Sequence, residues 1–137
     1  MTGPREASRD GLSIAVEVSP GELIDKLTIL ELKLSRIADP AKLANVGREY
    51  ELLKRTDDLH IATTARITEL RRELYEANAT IWEVEDRLRD HERRQDFGEE
   101  FVSAARRAYQ ANDQRSLIKR RINELLGSAL IEEKSHS

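Results

Sequence analysis

Two polar lines in the C-terminal half of the chain carry most of its chemical capacity. Asn78, Glu85 and Arg89 recur at helical spacing beside an apolar stripe, with Trp82 at the edge of the line and Glu92 continuing it. Tyr109, Asn112, Ser116, Lys119 and Asn123 make a second line, and Arg115 stands on the neighbouring apolar stripe itself. If the chain folds back at Asp96-Phe97, residues whose numbers sum to about 193 face each other in the antiparallel pair. Trp82 then meets Ala111, Asn78 meets Arg115, and Glu85 lies near Ala108 and Tyr109. A groove so lined suits an anionic or sugar-like substrate: Arg89, Arg115 and Lys119 bind the anion, Glu85 is the acid or base, and Asn112 and Asn123 orient the ligand. The same spacing also suits a solvated surface, with Glu85 and Arg89 as an i, i+4 ion pair and Arg115 snorkelling or taking a carboxylate. A seam arginine must find a partner to offset its desolvation, which makes Arg115 the deciding position.

Other constellations carry less. Asp57 and His60 share a helix face, but a ferritin-like metal site needs two such pairs and further glutamates. His91 has no second histidine at ligand spacing. No serine lies in a nucleophile elbow and no glycine-rich phosphate loop is present. With no cysteine in the chain, disulfides and thiolate chemistry are excluded. No metal and no cofactor is expected.

The elements that must position these residues are helices. Ser19-Pro20-Gly21-Glu22 supplies an N-cap, a first-turn proline and a capping-box glutamate. Leu23, Leu27, Leu30, Leu34 and Ile37 follow at heptad spacing, with Ile24 widening the face. Asp39-Pro40 repeats the start signal, so a first helix ends near Ile37 and its antiparallel neighbour begins near Pro40. Val46, Leu53, His60, Ile67, Leu74, Ile81 and Leu88 then recur every seven residues. The stripe turns polar at Asp57, His60 and Thr64, so a bend or break is expected between Thr56 and Thr64; an unbroken helix over 40–95 would be about 80 Å long. Asp96 and Glu99 form another capping box, and the last helix carries Phe101, Ala104, Ala108, Ala111, Arg115, Ile118, Ile122 and Leu125 before Gly127 ends it. Ile14 to Val18 is a short β-like run. It pairs with a copy in a second subunit, lies along the bundle, or is an extended entry segment.

The composition fits this picture. Of 137 residues, 36% are charged while the net charge is only −3, and glycine and proline together number 9. That is the balance of long helices and coiled coils. Basic and acidic residues interleave, so no basic face marks a nucleic-acid partner. No apolar run reaches a membrane span, and the polar first residues do not form a signal peptide, so a cytoplasmic protein is expected. The organisation expected is a disordered tail over 1–13, a single helical domain over 14–127 and a polar C-terminal tail over 128–137. Its fold class is all-α: an antiparallel helical bundle or long helical hairpin with coiled-coil-like packing and a short N-terminal extended segment. A homodimer is expected, because long helices in a charge-rich chain need a partner to bury their seams.

The stretch VEVSPGELIDKLTILELKLSRIADPAKLANV, with NDQRSLIKRRINELL and SALIEEKS near the end, resembles a small bacterial family known as a domain of unknown function. The resemblance spans roughly Val16 to Ser135, with Gly47 and His136 departing from the family pattern. It implies a compact all-helical protein in surface-polysaccharide or glycosyltransferase contexts. A fainter similarity to the helical chorismate mutases rests on Ile24-Asp25, Arg36 and Arg48-Glu49. It implies only a mechanism, preorganised cations facing developing negative charge. Two functions are therefore expected in order. The first is a non-catalytic, self-associating helical module that binds a partner protein or small ligand, accessory to carbohydrate or natural-product biosynthesis. The second is a small helical-bundle enzyme using the last hairpin's groove.

Overall fold

The computed structural model describes residues 11–128. Four helices make up about four-fifths of this span: α1 Pro20–Arg36, α2 Pro40–His60, α3 Ala65–Arg94 and α4 Glu99–Leu125. They pack as an all-α bundle. Residues 1–10 and 129–137, with most of both expected tails, lie outside the described chain.

Helix α1 starts as its sequence dictates. The Ser19 hydroxyl accepts from Glu22 N at 3.1 Å, and Pro20 occupies the first turn, where a missing N–H does no harm. Leu23, Ile24, Leu27 and Leu30 are buried along the expected face, but Leu34 is exposed. A second stripe, Gly21, Asp25, Thr28 and Leu32, recurs at four, three and four and is buried as well. Helix α1 is thus covered on two sides and forms the centre of the molecule.

Helix α2 folds back along α1 from an Asp39 cap that accepts from Ala41 N, and its backbone packs closely against α1 alone. Tyr50 and Leu53 reach the core from it. The expected break falls at residues 61–64, where Ile61 is buried in the core and Thr64 caps α3 by accepting from Ile67 N at 3.2 Å. The seven-residue recurrence therefore does not mark one rod. Its α3 members Ile67, Leu74 and Ile81 are buried, while His60 is exposed. Asp57, 1% exposed, ties the end of α2 to α3: its Oδ1 accepts from Arg71 at 2.6 Å and its Oδ2 from Lys54 at 3.1 Å. Those two bonds satisfy a carboxylate that burial would otherwise penalise.

Helices α3 and α4 form an antiparallel hairpin. The His91 and Phe101 rings meet edge to face at 6.1 Å, within one residue of the expected register. The capping box at Asp96 is not formed. Gln95 adopts the left-handed region at φ 55°, and Asp96 N donates to His91 O at 3.0 Å, so that amide closes α3 instead of opening α4. The cap of α4 falls at Gly98, with no side-chain bond. At its far end Gly127, φ +64°, terminates α4 as expected.

The core joins Leu23, Ile24 and Leu27 of α1 with Ile67, Leu70, Leu74 and Ala77 of α3 and Ile118 and Ile122 of α4. Before α1, residues 12–18 run with no helix, turn or bend, and all are exposed. That segment does not lie along the bundle.

Candidate functional site

The three helices that share the core also share a polar cluster. Helix α1 runs antiparallel to α4, which brings its first turns against residues 119–123. Gly21 N donates to Asn123 Oδ1 at 2.7 Å, so a residue of α4 satisfies an amide that α1 leaves unpaired. The approach is close: a methyl on Gly21 would stand 2.6 Å from the Lys119 carbonyl oxygen. Lys119 Nζ donates to Glu22 Oε2 at 2.6 Å and lies 3.8 Å from Asp25 Oδ2. From α3, Asn78 Nδ2 donates to Asp25 Oδ1 at 2.9 Å and to Thr28 Oγ1 at 2.8 Å, and the Thr28 hydroxyl donates to Asp25 O. Asp25, Thr28, Asn78 and Asn123 are all buried. Each charge here faces an opposite charge or a hydrogen-bond partner, and the arrangement clamps α1 onto the hairpin.

This divides the expected groove in two. Asn78, Lys119 and Asn123 are brought together, but beneath α1 and already bonded within the protein. The remaining residues stay on the surface. Glu85 and Arg89 are exposed and form no ion pair with each other, so the i, i+4 pairing is not made. Trp82 is half-buried, Tyr109 is exposed, and Asn112 donates to Ala108 O at 3.1 Å within its own helix. Arg115 is half-buried and its Nε is buried with no hydrogen-bond partner. It finds no carboxylate among the described residues, so of the two arrangements expected of it the carboxylate pair is not made.

Among the described residues two grooves are found along the hairpin, and neither is lined by any of the expected site residues. One, of about 410 Å³, lies between Glu73, Ala77 and Thr80 of α3 and Arg107, Gln110 and Gln114 of α4. Glu73 Oε2 in its wall is buried with no donor. The other, of about 450 Å³, lies nearer the turn around His91, Arg87, Arg94 and Glu100 and shares Arg107 with the first.

The sequence reading missed Glu22, Asp25 and Thr28 as partners of Lys119 and Asn78. The signal for Asp25 and Thr28 was the second α1 stripe, which sets polar residues at seam spacing, while Glu22 was read only as a capping-box residue. Glu73 gave no signal, since on α3 it is one acid among many. The Asp57 and His60 pair does not form a metal site: Asp57 is taken by Arg71 and Lys54, and His60 Nδ1 bonds Thr56 O on the surface. Among the described residues no group of three or more His, Asp or Glu is arranged to hold a metal ion. Of the residues behind the chorismate mutase likeness, Asp25 is buried in the clamp, Arg36 pairs with Glu83, and Arg48 bonds Asn45 on the exposed side of α2. No described helix is long and apolar enough to cross a membrane.

No curated protein and no solved structure matches this chain. Both long segments behind the family resemblance contribute to the clamp, the first through the start of α1 and the second through the second half of α4. A family model matches residues 14–137, and the chain belongs to that family, DUF6165, a family of unknown function.

Proposed function

We propose that the protein is a non-catalytic helical module that self-associates and holds a small hydroxylated or amine-bearing ligand between α3 and α4. The observation that carries this is Glu73 Oε2, buried without a donor in the wall of a groove that Thr80, Arg107, Gln110 and Gln114 also line. A desolvated carboxylate oxygen lacking a donor is costly, and a ligand hydroxyl or amine relieves that cost. The amides and the guanidinium opposite offer further donors and acceptors, and with the Glu73 carboxylate they make a set suited to a sugar-like molecule. Lys119, one of the cations of the enzyme reading, is engaged with Glu22 and Asp25.

Thermal-shift screening of sugars, sugar phosphates and small carboxylates tests this on the full chain, on Glu73→Gln and on Glu85→Gln. A hit whose shift disappears in Glu73→Gln and persists in Glu85→Gln is the expected result. A hit lost only in Glu85→Gln moves the site to the opposite face. That outcome favours a second reading, a small enzyme on an anionic substrate, whose support is the unpartnered Arg115 beside Asn112.

A further inference from the structure

The segment Leu12 to Val18 is unusual for a chain entering a helix. No backbone N–H or C=O along it has a hydrogen-bond partner among the described residues. Its apolar side chains alternate, with Leu12, Ile14 and Val16 73%, 77% and 74% exposed and Val18 42% exposed. Alternation of this kind puts all four on one face of a strand, with Ser13, Ala15 and Glu17 on the other. Unpaired backbone and an apolar face together make a strand edge that needs a partner.

We infer that this segment pairs with the same segment of a second copy, antiparallel about a two-fold axis at Ala15. This rests on the self-association proposed above and names its surface. The sequence is self-complementary in that register. Leu12 of one chain stands opposite Val18 of the other, Ile14 opposite Val16, and Ser13 opposite Glu17, so all seven residues pair and every apolar contact falls on one face. Moving the axis to Glu17 sets two like charges against each other and leaves the first residues unpaired. Moving it by half a residue mixes the two faces. The pairing is isologous, as a closed dimer requires.

A two-stranded ribbon is not stable alone and needs a surface under its apolar face. One is at hand. The Gly21–Asn123 bond roots the segment beside the end of α4, where Leu125 and Leu126 are 51% and 37% exposed. In the paired form inferred here, the ribbon's apolar face is set against these leucines of both chains.

The absence of cysteine gives a clean test. Residues directly opposite in an antiparallel pair have Cα atoms about 4.5–5.5 Å apart, inside the range of about 4.4–6.8 Å that a disulfide spans. A single Ala15→Cys substitution in the full chain therefore links to its own copy under mild oxidation, giving a covalent dimer as the main species on a non-reducing gel. Leu59→Cys, at a site 81% exposed on α2, stays monomeric under the same conditions. By light scattering at micromolar concentration the unsubstituted chain has twice the monomer mass, and Ile14→Asp with Val16→Asp halves it while the helical circular dichroism is unchanged. A monomeric unsubstituted chain overturns both this inference and the self-association reading. A dimer that survives Ile14→Asp with Val16→Asp, with no Ala15 link, overturns the strand pairing alone. So does an Ala15 link that forms only after residues 129–137 are deleted, because the intact chain then covers its own strand.

Discussion

The two halves of the expected polar line met different fates. Around Asn78, Lys119 and Asn123 the line lies under α1, where Gly21, Glu22, Asp25 and Thr28 supply its partners and Asn78 and Asn123 are buried. Around Glu85, Arg89 and Tyr109 the same kind of line has no helix over it and stays exposed. The spacing is alike in both; what differs is whether a third helix arrives with complementary groups. A row of polar side chains beside a seam thus states a capacity for pairing. Whether that becomes a structural clamp or an open surface is decided by an element 50 to 102 residues away in sequence.

The contrast breaks most readily at Lys119. Lys119→Ala leaves Asp25 buried without its cation and Glu22 without its bond, and the expected loss is about 3 kcal/mol in urea unfolding. Glu85→Gln on the open half is expected to change stability by less than about 0.5 kcal/mol. Equal effects at the two positions would erase the distinction. Next in size, and opposite in sign, is Arg115→Leu. Removing a guanidinium whose Nε is desolvated and unpartnered is expected to stabilise the fold by about 1 kcal/mol, as in a site held ready for an external ligand. A loss of stability there would place Arg115 in the clamp.

The smallest effect sharpens the comparison from a third region. Burial holds the Glu31 carboxyl above its ordinary value of 4.5, against the opposing pull of Arg71 and Lys54. The folded protein thus binds that proton more tightly than the unfolded chain does. The associated stability is complete below the ordinary value and is lost as pH rises through the raised one. Glu31→Gln, which fixes the neutral state, is expected to raise the melting temperature by about 1–2 °C at pH 7. The gain should vanish by pH 4, where the native carboxyl is itself protonated. Differential scanning calorimetry at the two pH values measures it.

The fold was legible wherever the information is local. Ser19-Pro20 and Asp39-Pro40 announce two helix starts through side chains that bond within a turn, and the polar interval at Asp57 to Thr64 announces the break. Asp96 misled because its backbone amide serves the end of α3 before its side chain can open α4, a competition that residue types alone do not rank. The site was legible only in part. Lys119, Asn78 and Asn123 were found as polar groups beside seams, but their partners lie on α1, and no periodicity within one helix reveals which helix will cover it. Arg115 was singled out by its place on the seam; of the two arrangements expected there, snorkelling or a carboxylate pair, the pair is not made among the described residues.

Helix α2 differs from the other three in how it is held. Its backbone touches α1 alone, and the one residue it buries fully is Asp57, fastened by Arg71 and Lys54. The chain is therefore built as a three-helix unit with a detachable fourth. Opening α2 breaks one ionic latch and a small apolar contact but leaves the clamp between α1, α3 and α4 whole. Native-state hydrogen exchange should divide along that line, with α2 amides exchanging through a partial opening well below the global unfolding free energy and α1 amides only at it.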